Sequence, residues 1–242
     1  MSEPAPRPRP DADPWEALRQ VTPARIGLER HGTGLSTRTT LELGTAHALA
    51  RDAVHIPLDT DVLADDLARR GFGRPRVLAS AAANRAAYLA RPDLGRRLAG
   101  NLQLDTGQNP PDLALIVCDG LSSTAVQRHA APLLSHLRGV LDPTVSLSDP
   151  IVCLQARVAI GDHIAAGLRA PLVLVLIGER PGLSSHDSLG AYLTWQARPG
   201  TTDAHRYCVS NIRPGGLTYE AAADAIRRLV DRARAEGRTG VG

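Results

Sequence analysis

The chain has 242 residues, 43% hydrophobic and 22% charged, which is the balance of a globular protein and excludes disorder throughout. A net charge of +3 and an aromatic content of 3% supply neither a basic track for phosphates nor rings on which bases could stack, so nucleic acid is not an expected partner. The longest apolar run, Ala170 to Ile177 with Pro171 inside it, is far shorter than the ~20 residues that cross a bilayer, so no membrane is expected either.

Residues 1–13 are rich in Pro and Arg and hold no apolar cluster to offset the entropy of ordering, so a mobile tail is expected there. It lacks the apolar core of a secretory signal, which makes the cytoplasm the expected compartment. Asp13-Pro14 then offers an N-cap and an N1 proline for a helix through Trp15, Ala17 and Leu18, and Thr22-Pro23 repeats that signal. Helices are expected over Thr39 to Val54, Thr60 to Arg70 closed by Gly71, Ala81 to Ala90, and Pro92 to Ala99 closed by Gly100. Residues 14–103 thus read as a small all-helical domain, and the breaker-rich Asp105 to Pro111 as a linker.

Residues 112–242 change period. Leu113 to Cys118 is a short apolar run that ends at Asp119-Gly120 and leads into a helix from Ser123 to about Arg138, capped by Ser122 or Ser123. The strand, loop, helix unit recurs at Ile151 to Leu154 with a helix over Asp162 to Leu168, and again at Leu172 to Ile177 with a helix over Ser188 to Leu193. A fourth run, Tyr207 to Ile212, leads to a terminal helix from Thr218 to about Glu236. Such alternation predicts an α/β fold: a Rossmann-like domain whose mostly parallel sheet is covered by helices. Ligands of such sheets bind beyond the carboxyl ends of the strands, which singles out the loops Asp119 to Ser123, Arg157 to Gly161, Gly178 to Ser185 and Tyr207 to Gly216.

Familiar chemistries are largely absent. All 28 basic residues are arginines, which removes a Walker A lysine, a Schiff-base lysine and a Ser-Lys pair. Cys118, Cys153 and Cys208 are odd in number and far apart, unlike a disulfide framework or a zinc site, so no metal site is expected. Gly32-Thr-Gly34-Leu-Ser-Thr37 lacks the third glycine of a dinucleotide fingerprint, and DGLSS and GLSSHD lack the Gly-x-Ser-x-Gly of a nucleophile elbow, which leaves helix caps as their reading. His47, Arg51 and His55 fall on one helical stripe, but a cation between two ligands opposes a metal and favours an interface. The arginine-rich stretches Arg69, Arg70, Arg74, Arg76 and Arg227, Arg228, Arg232, Arg234 read as solvated helix faces or a protein interface. In GERPGLSSHDSLGAYL, Glu179 stands at the end of a strand, where it could accept hydrogen bonds from a ligand amide; equally, it could pair with Arg180 or Arg213 and only shape the loop.

The stretch GERPGLSSHDSLGAYLTWQARPGTTDAHRYCVSNIRPGGL strongly resembles the small (light, or beta) subunit of ethanolamine ammonia-lyase. TPARIGLERHGTGLSTR, AHALARDAVH, YLARPDLGRRL, VCDGLSSTAV and QARVAIGDHI resemble further blocks of that family in the same order, so the likeness runs from Pro14 to about Ala233. It implies a carbon–nitrogen lyase that converts ethanolamine to acetaldehyde and ammonia with adenosylcobalamin, as a hetero-oligomer containing several copies of each subunit. The substrate site is then expected on a large TIM-barrel subunit, and no residue of this chain is expected to be catalytic. The family's cobalamin contacts carry over onto Val158, Glu179 and Cys208. Asp162-His163-Ile-Ala-Ala-Gly167 misses the Asp-x-His-x-x-Gly of base-off proteins by one residue, which implies base-on binding. Tyr207 stands where the family usually has a smaller polar residue. Cytoplasm or a bacterial microcompartment is the implied location. The alternatives are a free-standing α/β small-molecule-binding protein and a structural adaptor.

Overall fold

The computed structural model describes residues 13–22, 24–100 and 109–241. Apart from Asp13, the expected tail lies outside these residues, as do Pro23 and part of the expected linker. Two apolar runs form the centre of the sheet. Strand β4 (Leu113–Cys118) and strand β6 (Leu172–Gly178) are buried at every position, as strands covered on both faces must be. They pair in parallel; on the far side of β4 lies parallel β5 (Ile151–Leu154).

The alternation of side chains sorts these strands between two apolar layers. Leu113, Leu115, Val117, Leu172, Leu174 and Leu176 face one layer, built with α5 (Ser123–Val140) and α7 (Tyr219–Glu236). Ala114, Ile116, Cys118, Val173, Val175 and Ile177 face the other, built with α6 (Ile160–Leu168). The chain moves from β4 outward to β5 and then back across β4 to β6. Right-handed crossovers in opposite directions put α5 and α6 on opposite faces. At that reversal, Leu121 N–H donates to the Gly178 carbonyl at 2.9 Å. Gly120 has φ +58°, and a Cβ on either Gly120 or Gly178 would collide with the backbone of the other loop, so both positions need glycine.

Helix ends follow the expected chemistry. Ser122 caps α5 through Ala125 N–H, and Thr218 caps α7 through Ala221 N–H. Asp59 caps α3 (Thr60–Arg69), with Gly71 at φ +79° just beyond its end. Both arginine-rich stretches lie on partly solvated surfaces and are threaded with ion pairs such as Arg70 to Asp66 at 3.3 Å and Arg227 to Asp231 at 3.0 Å.

The structure departs from expectation at three places, the first being that the helix expected over Pro92 to Ala99 is only a 3-10 turn at Leu94–Arg96. The N-terminal part is not all-helical. Besides α1 (Glu16–Arg19), α2 (Thr37–His55), α3 and α4 (Arg85–Ala90), it forms a hairpin of β1 (Arg30–His31) and β2 (Gly34–Leu35), and a strand β3 (Arg76–Ala79). β3 adds to β5 in parallel as the edge of the main sheet. Its lone buried position, Leu78, gives too little alternation to reveal a strand. The expected helix over Ser188 to Leu193 is instead strand β7 (Leu189–Trp195), antiparallel to β6. Leu189, Ala191 and Leu193 all face the α5–α7 layer, a period of two that no helix can satisfy. β8 (Arg206–Ile212) pairs antiparallel with β7, which completes the order β3-β5-β4-β6-β7-β8. No helix among the described residues is long and apolar enough to cross a membrane.

A buried ion pair ties α6 to β8. Arg206 donates to both carboxylate oxygens of Asp162 at 2.7 and 2.8 Å, and also to Thr194 Oγ1 and the Thr201 carbonyl. The two side chains are 2% and 1% exposed. Removing one partner strands a buried charge, so Arg206→Met is expected to cost about 3–5 kcal/mol in urea unfolding. The double variant Arg206→Met with Asp162→Leu should recover most of that loss.

Candidate functional site

The carboxyl ends of β4, β5, β6 and β8 meet the amino end of β7 at one rim, so the four singled-out loops lie along the same border of the sheet. Asp119, buried in the first loop, accepts N–H bonds from Gln155 at 3.0 Å and Ala156 at 3.1 Å and lies 3.5 Å from Arg85. Burial pushes its carboxyl up while these partners pull it down, and the bonds lock the loop after β4 to the loop after β5.

α6 packs against β4 and β6 and reaches the start of β8 through the Asp162–Arg206 pair, whereas α7 packs against β7 and β8 from the opposite layer. On the α6 side of the sheet, beyond that pair, Tyr192 of β7 stands directly across from Cys208 of β8. Partial burial beside Tyr192 raises the Cys208 thiol above its ordinary value, and Glu179 adds to the shift. A protonated thiol is a packing group and not a nucleophile.

Glu179 is held by a break in the ladder. Between Leu189 and Ala191 the register with β8 slips, so that Ser210 and Asn211 together oppose Gly190. Asn211 adopts φ +58°, and the N–H that this bulge withdraws from β7 donates to Glu179 Oε2 at 3.2 Å. Ser188 Oγ donates to the same oxygen. A Cβ on Gly190 would stand 3.0 Å from Oε1 and 3.2 Å from the Tyr192 ring. Glycine at 190 therefore keeps the floor between the two side chains open. Among the described residues Glu179 makes no ion pair with Arg180 or Arg213, whose guanidinium instead bonds Asn211 Oδ1 at 3.0 Å.

Val158 lies just before the first turn of α6 and packs with Tyr192 against the same apolar layer. Both line a cavity of about 750 Å³ that also takes in Arg157, His163 and Thr202. Tyr192 thus links the three positions singled out from the sequence: it shares a cavity wall with Val158, stands across the strand pair from Cys208, and has a common neighbour, Gly190, with Glu179. Sequence reasoning missed Tyr192 because it read this segment as a helix; strand alternation through LGAYLTW would have placed it opposite the buried leucines. His47, Arg51 and His55 lie exposed on α2, away from this arrangement of contacts.

The loop between β6 and β7 is anchored from behind. Asp187 pairs with Arg128 at 3.0 Å and stands 3.5 Å from Nε2 of buried His129, whose Nδ1 meets the Tyr219 hydroxyl at 2.7 Å. Ser122 Oγ also donates to the His186 carbonyl at 2.8 Å.

A family model described as ethanolamine ammonia-lyase light chain (EutC) matches residues 12–242. The chain belongs to that family. The light-chain family relatives include the ethanolamine ammonia-lyase small subunit of Rhodococcus erythropolis, 47% identical over 233 residues, covering 96% of this chain and 90% of the relative. Those of Pseudomonas aeruginosa (strain UCBPP-PA14) and Ralstonia nicotianae are each 49% identical, over 231 and 225 residues, covering 91% and 90% of this chain and 84% and 83% of the relatives. The naming of these light-chain relatives as small subunits of a lyase implies a large subunit as partner.

Burial lowers the pKa of His129, against the pull of Asp187. The unfolded chain therefore binds this proton more readily, and the stability that neutral His129 contributes is present above about pH 6.5 and lost as the pH falls toward the depressed folded value. Urea titrations between pH 7.5 and 5 should show this fall, with a shallower slope in His129→Gln. Of the three thiols only Cys208 is exposed, and burial drives Cys153 up to about 12. Mass spectrometry after iodoacetamide treatment should find a single alkylation, on Cys208, faster at pH 9 than at pH 7.

Proposed function

We propose that this chain is the small subunit of an adenosylcobalamin-dependent ethanolamine ammonia-lyase, which converts ethanolamine to acetaldehyde and ammonia. In this reading it forms half of a base-on cobalamin site against a large TIM-barrel subunit that holds the substrate. The assembly is a hetero-oligomer with several copies of each chain, in the cytoplasm or in a bacterial microcompartment. The observation that supports this best is the grouping of Val158, Glu179 and Cys208 around Tyr192 on the α6 side of β7 and β8.

The residues present suit a corrin, which has an apolar face and a rim of carboxamides. Val158 and the Tyr192 ring offer apolar contact. Glu179 has one oxygen engaged by Ser188 and Asn211, which leaves Oε1 to accept a carboxamide N–H, a charge-assisted bond that contributes roughly 1.5–3 kcal/mol. Cys208 is small enough to allow close approach. When bound, the cofactor supplies the radical chemistry. This chain would orient it through Val158, Glu179 and Cys208, exclude water from that contact and contribute no proton transfer, because the thiol at the site stays protonated and the carboxylate is pinned by two donors.

Deamination is expected only when this chain is co-expressed with the large subunit; full activity from this chain alone would overturn the reading. In the two-chain complex Glu179→Ala should weaken cobalamin binding about tenfold or more while the KM for ethanolamine changes little, and Glu179→Gln should lose less. Cobalamin should also protect Cys208 from iodoacetamide.

A further inference from the structure

The N-terminal segment leaves much of its apolar surface uncovered. Among the described residues, seven of the eleven exposed large apolar side chains lie between Trp15 and Val62. α1 buries no residue, and α2 buries only Thr39 and Ala53 of its 19, whereas α5, one residue shorter, buries nine. The C-terminal end of α2 is fastened: Arg85 Nε donates to the Val54 carbonyl at 2.6 Å, and Ser123 Oγ to that of Ile56. The middle of the helix is bare. Most helical stability in proteins comes from packing one apolar face, and exposed apolar patches of this kind mark surfaces that another molecule covers.

α2 presents two adjoining rows. Leu41, Thr45 and Leu49 follow each other at four-residue spacing, with Leu41 66% and Leu49 44% exposed. His47, Arg51 and His55 form the second row and are all exposed. Arg51 reaches Asp52 only at 3.9 Å, with both side chains more than half exposed, a pair of little worth in water. Leu183, 46% exposed, joins the first row from the loop between β6 and β7. Arg25 holds that loop by donating to the Leu183 carbonyl at 3.0 Å and to Ser184 Oγ at 3.1 Å. Leu41, Ala46, Leu49 and Leu183 line one shallow cavity of about 410 Å³. Leu183 is four residues from Glu179, at most ~14 Å along the chain. An ordinary subunit contact of about 800 Å² per partner is roughly 30 Å across, so a chain that closes the cofactor site over Glu179 also reaches this patch.

We propose that the outer face of α2, together with Leu183, docks on the large subunit, and that the surface it meets there is apolar and edged with carboxylates facing Arg51. This rests on the two-chain reading above. It goes beyond that reading by assigning the subunit contact to residues that hold no cofactor.

The test is the affinity of this chain for the large subunit, measured by sedimentation velocity on the full chains. Leu41→Asp and Leu183→Asp, both at exposed positions where folding is not at risk, should each weaken association about tenfold or more, because each buries a charge in an apolar contact. Val77→Asp, at a position of β3 as exposed as Leu183, should leave it unchanged. Arg51→Glu should weaken it at low ionic strength and much less in about 1 M salt. Unaltered affinity in the Leu41→Asp and Leu183→Asp variants, or equal weakening by Val77→Asp, overturns the docking surface while leaving the two-chain reading standing. No association between the unaltered chains overturns both. A stable dimer of this chain alone that Leu41→Asp dissolves assigns the patch to a second copy and overturns the proposal.

Discussion

The candidate site depends on the buried pair between Asp162 and Arg206. Asp162 lies four residues beyond Val158, in the first turn of α6, and Arg206 lies two residues before Cys208 on β8. The two carboxylate–guanidinium bonds, 2.7 and 2.8 Å long, therefore set how far the loop that carries Val158 stands from the strand that carries Cys208. Apolar contact alone could hold a helix on a sheet as firmly, but it would let the helix slide. A bidentate pair has one geometry, and Thr194, the Thr201 carbonyl and Asp203 take the remaining N–H groups of the arginine.

The ease of reading this fold from sequence follows the density of its burial pattern. β4 and β6 are unbroken apolar runs, and α3, α5 and α7 carry side-chain caps with a well-marked apolar face, so these elements were legible to within one to three residues. β3 was not, because an edge strand with one buried side chain has no period to detect. β7 was misread because loop, glycine and a mixed run of Leu, Ala and Tyr looked like one more turn into a helix; the antiparallel return depends on tertiary pairing with β6 and leaves little local trace.

The candidate residues were legible differently. Val158, Glu179 and Cys208 came from family resemblance, and nothing in their spacing marks them as neighbours. The bulge at Asn211 that gives Glu179 its N–H partner and the placement of Tyr192 across from Cys208 exist only once strands are paired. The face these residues share has an apolar floor, a pinned carboxylate and a thiol that partial burial keeps protonated. That fits membership of a family whose relatives are named as one subunit of a lyase.

The same bulge has an effect on the outside of the sheet. β8 is the terminal strand, and a long flat terminal strand is an open template on which further copies can stack edge to edge. The left-handed Asn211 and the doubled residues opposite Gly190 spoil the spacing of outward donors and acceptors there. One irregularity thus serves two ends of the molecule's life: inward it supplies Glu179 with a hydrogen bond, and outward it denies fibrils the regular rail they would grow along.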